Sequence, residues 1–153
     1  MRSLLMTTLL LLGTVAPGAA QDHSAQSTQA AGSSQLFEHY EGVRRALSSD
    51  RVADVAPHAR QLAASVESIG GVDAKKHADA LLKSTTLDET RKHFGELSMI
   101  LVPIFHNAKI PGATAFMCPM KKQPWMQKGD KTENPYYGKS MSTCSSPYSA
   151  TGK

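Results

Sequence analysis

The feature that most constrains the fold is a change of pattern near Lys109. Before it, apolar residues recur three and four positions apart, the spacing that places side chains on one face of an α-helix. After it, Pro and Gly recur every few residues. A proline inside a helix removes a hydrogen bond and clashes with the preceding turn. The chain therefore divides near residue 108 into a helical part and a tail that contains no long helix.

Four apolar stripes predict four helices, with Pro103 expected to kink or end the last one. The approximate helix bounds are 34–48, 52–69, 73–83 and 86 onward. No stretch alternates apolar and polar residues for long enough to indicate a strand. The prediction is an all-α fold: a small antiparallel bundle over residues 35–108. An irregular Cys- and Met-containing tail, residues 109–153, is expected to pack against the bundle as part of the same domain.

The first twenty residues have the character of a secretory signal peptide. Arg2 precedes an apolar run, residues 4–12, and Gly18-Ala19-Ala20 provides small residues for cleavage. The apolar run is shorter than the roughly 20 residues that span a bilayer. Residues 21–34 are small and polar and predict a flexible linker. We therefore expect a periplasmic or secreted protein whose mature chain has no membrane span.

Charge is distributed unevenly between the two parts. Residues 21–108 have 9 basic and 11 acidic residues, whereas residues 109–153 have 7 and 2. A basic tail can bind nucleic acid, but export argues against that partner. The sequence also has no nucleophile elbow, no phosphate-binding loop and no His-Glu-x-x-His zinc motif. We therefore expect a binding protein and not an enzyme.

Sulfur is concentrated in the tail. The segment "MCPMKKQPWM", residues 117–126, holds one cysteine, three methionines and the single tryptophan. In an extended Cys-Pro-Met segment, Cys118 and Met120 would point the same way because side chains alternate. Thiolate and thioether are soft ligands that select Cu(I). Cys118 and Met120 are therefore candidate ligands.

A second sulfur pair, Met141 and Cys144, has the three-residue spacing of one helical turn. With Cys118 and Met120 it would supply four sulfur ligands. A disulfide between Cys118 and Cys144 is the alternative, since exported proteins favour disulfides. It would close a loop of about 27 residues and stabilise the fold by roughly 3–4 kcal/mol.

Two histidines lie on apolar helix faces and are further candidates. His93 shares a stripe with Leu97, and His77 lies one turn before Leu81. Burial would favour the neutral imidazole that binds metals. Such histidines are more often core residues than ligands. A zinc site of two Cys and two His is the alternative metal site.

The order of motifs resembles a known bacterial family. Its elements here are His77-Ala78, Arg91-Lys92-His93-Phe94, Cys118-Pro119-Met120, Trp125, Asn134-Pro135-Tyr136-Tyr137-Gly138, Met141 and Cys144. The segment from Asn134 to Gly138 is also expected to be a turn that docks the tail, with Gly138 at positive φ. The family consists of exported domains of unknown function that accompany copper/silver efflux adaptor proteins of the periplasm.

The resemblance implies a helical domain that binds copper or silver, for buffering or for transfer to an efflux system. It implies a metal site at Cys118, Met120, Met141 and Cys144, with His93 and His77 as further candidates. The chain departs from the pattern between Met120 and Trp125, where the segment is short and lacks a glycine. This leaves open whether Met126 joins the site.

Overall fold

The computed structural model describes residues 21–150. The predicted signal peptide, residues 1–20, lies outside the described residues. Within residues 21–150, no helix is both long enough and apolar enough to cross a bilayer.

Four helices form the first part, as the apolar stripes predict. They are α1 (Gln21–Ser48), α2 (Val55–Ser65), α3 (Glu67–Lys83) and α4 (Leu87–Asn107), with a 3-10 turn, Val52–Asp54, before α2. Helix α1 packs on α2 and α4, and α3 packs on the same two helices. The predicted stripes form the core, where Phe37, Tyr40, Phe94 and Phe105 are fully buried and in ring contact.

The helix bounds differ from the prediction in three places. Helix α1 begins at Gln21, so the expected linker, residues 21–34, belongs to this helix. The break expected at Gly70-Gly71 occurs at Gly71, which has φ 74° and lies within α3. Helix α4 continues through Pro103 and ends at Asn107. The tertiary packing of α4 outweighs the loss of one hydrogen bond at Pro103.

The all-α prediction is wrong, because the tail forms an antiparallel sheet. Its strands are β1 (Ala113–Cys118), β2 (Gln123–Lys128) and β3 (Ser146–Pro147), in the order β2-β1-β3. Strand β2 packs against α4, and its residues 124–127 are all buried. A strand that is covered on both faces does not alternate apolar and polar residues, so the search for alternation missed it. The part that the prediction called an irregular tail thus contains a β-sheet that packs on the same core, and the described fold is mixed α and β.

Two arginines attach the end of the sheet region to the helices. Arg44 of α1 is buried and donates hydrogen bonds to Glu41 and to the carbonyl and carboxylate oxygens of Glu133. Arg91 of α4 donates to the carbonyl oxygen of Pro135, at 2.9 Å, and to the Asp50 carboxylate. These contacts fix residues 133–135 against the bundle.

Candidate metal centre

Both cysteines are free thiols, and the side chain of Asn134 contacts both residues. Cys118 is the last residue of β1 and is fully buried, whereas Cys144 is partly exposed. The side-chain NH2 group of Asn134 lies 3.5 Å from Cys118 Sγ and 2.7 Å from the carbonyl oxygen of Cys144. One buried amide group therefore contacts both cysteine residues.

Asn134 is held in place by its own hydrogen bonds. Its backbone N–H donates to the carbonyl oxygen of Ser142 at 2.8 Å, and its side-chain oxygen accepts from the Tyr136 N–H at 2.8 Å. Its carbonyl oxygen accepts from Gly138, which has φ 54°, as predicted for this turn. Sequence reasoning assigned Asn134 only to the turn. Its contact with both cysteines depends on tertiary pairing, of which the motif gives no signal.

Aromatic rings surround the buried side of this region. Trp125 stacks on Phe116 with the ring centroids 5.3 Å apart, and Tyr136 meets the Trp125 ring edge-on. The Tyr136 hydroxyl donates to the carbonyl oxygen of Pro124, and burial raises the pKa of Tyr136 well above its ordinary value. This aromatic surface docks the tail on the bundle through Phe94 of α4.

The segment from Cys118 to Met120 is not extended, so the prediction that the two side chains point the same way is wrong. Strand β1 ends at Cys118, and a four-residue turn, Pro119 to Lys122, follows it. The turn is closed by a 2.7 Å hydrogen bond from the Lys122 N–H to the carbonyl oxygen of Cys118. Met120 consequently lies in the turn and is 63% exposed.

Met141 lies at the end of a 3-10 turn, Gly138–Met141, and is 37% exposed. Its carbonyl oxygen accepts from the Cys144 N–H at 3.2 Å, so the predicted single-turn spacing is present in the backbone. Lys121 Nζ lies 5.7 Å from the centre of the Tyr137 ring. This contact places the turn that carries Met120 beside the segment that leads to Met141.

Met126 has a different environment from these two methionines. It lies in β2, is buried with 3% of its surface exposed, and belongs to the common core. The structure therefore assigns Met126 to packing.

The two candidate histidines meet each other rather than the cysteines. His77 of α3 and His93 of α4 have ring centroids 5.8 Å apart. Adjacent residues of a helix point roughly 100° apart, and Phe94, next to His93, faces the tail through Tyr136. The histidine pair thus lies at the α3–α4 contact, and the cysteines lie at the end of the sheet.

The environment of His77 favours its neutral ring. The pKa of His77 is lowered chiefly by burial, with further lowering from His93 and Lys76, while Glu96 and Asp73 oppose the shift. The Nδ1 atoms of His77 and His93 are buried and have no hydrogen-bond partner.

The described residues contain no group of three or more His, Cys, Asp or Glu side chains arranged to hold a metal ion. The two-Cys, two-His zinc set is accordingly not assembled between residues 21 and 150. The absence of such a group from the described residues concerns His, Cys, Asp and Glu, and does not cover methionine thioethers. Of the sulfur atoms, Cys118 Sγ contacts Asn134 directly, and Asn134 also contacts the backbone of Ser142 and Cys144, next to the segment that carries Met141. The chemistry of thiols and thioethers fits a soft ion.

Comparison of the chain with protein-family models, with curated proteins and with solved structures gives no match. The resemblance to the efflux-associated family stays a prediction based on the motif.

Proposed function

We propose that this protein is an exported binder of a soft monovalent ion, Cu(I) or Ag(I). It would buffer the ion or hand it to an efflux system. Cys118 and Cys144 would bind as thiolates, and Met120 and Met141 as thioethers. The metal is cargo in this proposal, and no reaction is assigned to the protein.

The observation that supports the proposal is that the Asn134 amide contacts both the Cys118 thiol and the backbone of Cys144. Two free cysteines from distant parts of the tail therefore share one contact. Asn134 is fully buried and held by backbone groups on either side. A site with few soft donors gains affinity when the protein positions those donors before the ion arrives.

The exposure of the sulfur residues suggests how the ion enters. Met120 and Met141 are exposed, Cys144 is partly exposed, and Cys118 is buried. In our proposal the thioethers meet the ion first and the thiolates retain it. The side with exposed methionines is also the side from which a partner could remove the ion.

The proximity of the cysteines also favours one rival, a disulfide-stapled interaction module without metal. A disulfide needs Cα atoms within about 7 Å of each other, and Cys118 and Cys144 share the contact with Asn134. Linked sulfurs are poor metal ligands. The two functions can therefore be separated by experiment.

The test uses residues 21–153, the chain without the predicted signal peptide, purified both with and without reductant. Free thiols are counted in each sample, and Cu(I) affinity is measured anaerobically by competition with a chromogenic chelator. We expect one-to-one binding by the reduced protein. Binding should be lost in Cys118→Ser and in Cys144→Ser, and weakened in Met120→Leu and Met141→Leu.

Met99→Leu is the matched control, because Met99 is 50% exposed but lies on α4. It should bind as tightly as the wild type. Linked cysteines with no competitive binding after reduction would contradict the proposal and favour the stapled module. Equal weakening by Met99→Leu and Met120→Leu would indicate only nonspecific binding to surface thioethers.

A further inference from the structure

The contact between α3 and α4 contains two polar atoms that the fold leaves unsatisfied. They are the Nδ1 atoms of His77 and His93, both buried and both without a hydrogen-bond partner. Buried polar groups are nearly always hydrogen-bonded, so an unpartnered one requires an explanation. Two such atoms on adjacent rings from different helices suggest that both rings bind one ligand.

The separation of the rings fits a metal ion between them. A metal ion lies about 2.0–2.1 Å from an imidazole nitrogen, and hence roughly 3 Å from the centre of the ring. Two rings bound to one ion at ordinary coordination angles would have centroids roughly 5 to 6 Å apart. The centroids of His77 and His93 are 5.8 Å apart, and the ring planes are tilted by 38°.

The surrounding charges are compatible with a cation. Asp73 precedes His77 by four residues on α3, and Glu96 follows His93 by three residues on α4. Both carboxylates stabilise a positive charge at His77, whereas Lys76 destabilises it. Imidazole suits divalent ions such as Zn²⁺, Ni²⁺ and Cu²⁺.

We propose that His77 and His93 form a separate metal site for a divalent ion of this class, bound through their two Nδ1 atoms. The site does not depend on the sulfur residues, which lie at the end of the sheet. It joins α3 to α4 and uses a different ligand type from the Cu(I) site. One chain would therefore bind a soft ion and a borderline ion at two places.

The test uses residues 21–153 with Cys118→Ser, Cys144→Ser and His23→Gln, which removes the thiols and a histidine of the N-terminal segment. Zn²⁺ binding is measured by calorimetry and Co²⁺ binding by its visible absorption. We expect one saturable site that raises the melting temperature. His77→Gln and His93→Gln should each abolish the site, and His106→Gln, at an exposed position of α4, should retain it.

A second measurement identifies the ligand atoms in the chain with its cysteines intact. ¹⁵N NMR of the histidine rings is followed as Zn²⁺ is added to reduced protein. We expect the Nδ1 signals of His77 and His93 to shift together, at the same Zn²⁺ concentration. Signal changes at other histidines only, or no saturable binding in either experiment, would overturn the proposal. Loss of Cu(I) binding in Cys118→Ser with Zn²⁺ binding intact would show that the two sites are independent.

Discussion

The helical bundle and the segment 133–135 of the tail are held by different kinds of contact. The bundle is held by apolar side chains at helical spacing, whose buried members include Tyr40, Leu62, Ala78 and Phe105. Residues 133–135 are held by buried polar side chains, Arg44 of α1 and Asn134 itself. Apolar packing tolerates exchange of similar residues, whereas a hydrogen-bonded network depends on each donor and acceptor. We therefore expect the two regions to respond differently to mutation.

The largest expected loss of unfolding free energy comes from truncating a buried side chain in the bundle core. Phe105→Ala removes a fully buried ring that meets Phe37 and Tyr40 edge-on. Truncation of a buried Phe costs about 3–5 kcal/mol of unfolding free energy. Urea unfolding followed by circular dichroism measures it. Met99→Ala is the control on the same helix and should cost far less, because Met99 is half exposed.

A slightly smaller loss should follow from cutting the contact between α1 and the tail. Arg44→Ala leaves the carboxylate of Glu41, which is 4% exposed, without its partner. Leaving one buried charge unpaired costs about 3 kcal/mol or more. The neighbouring Arg45 is exposed, so Arg45→Ala should leave urea unfolding almost unchanged. Equal costs for the two variants would contradict the role given to the Arg44 network.

The difference between the regions also explains what the sequence could predict. The stripe Leu36, Tyr40, Val43 and Leu47 is a helix face and is fully buried. Periodicity finds such faces because one side of a helix packs and the other does not. The same search failed for β2, where Pro124 to Gln127 are all buried. Pro124 is also compatible with a strand here because β2 is at the edge of the sheet.

The candidate site was predictable by residue type but not by geometry. Thiolate and thioether are soft ligands, so Cys118 and Cys144 could be named as candidates from the sequence. The turn after Cys118 belongs to the β1–β2 hairpin, and the contacts of Asn134 depend on pairing between residues far apart in the tail. Such pairing between distant segments leaves no periodic pattern. For the same reason, nothing in the sequence separated the histidines from the cysteines.

A moderate loss of unfolding free energy is expected when a methyl group is added at Gly138, in the turn that begins at Asn134. Gly138 has φ 54°, and an added Cβ would overlap with the side chains of Asp50 and Arg91. Strain at positive φ costs about 1–2 kcal/mol, and the overlap adds to it. We expect Gly138→Ala to lower the unfolding free energy by about 2–3 kcal/mol. It should also weaken Cu(I) binding, because Gly138 donates a hydrogen bond to Asn134.

Gly129→Ala is the matched control for that experiment. Gly129 has φ 77° and open space where a Cβ would lie. Gly129→Ala should therefore lower the unfolding free energy only by the backbone strain, about 1 kcal/mol, and should leave Cu(I) affinity unchanged. The difference between the two variants isolates the contact of Gly138 with Asp50 and Arg91. Similar losses of Cu(I) affinity in both would argue that the tail responds to backbone strain in general.

The smallest expected effect is a pH dependence that arises in the bundle. Burial lowers the pKa of His77 in the folded chain below its ordinary value of 6.5. At pH values between the folded and the unfolded pKa, the unfolded chain binds more protons at His77. The unfolding free energy should therefore fall as the pH is lowered below about 6.5 and level off above it.

Urea unfolding from pH 5 to pH 8, with a chelator present to exclude metal, measures this dependence. His77→Gln should flatten the part of the profile below pH 6.5, and His106→Gln should retain it. A second series with Zn²⁺ in place of the chelator measures how metal binding depends on pH. Because metal competes with protons for the same ring nitrogen, Zn²⁺ should stabilise the wild type more at pH 7.5 than at pH 5.5. A pH profile that is unchanged in His77→Gln would show that protonation of this ring is not linked to folding.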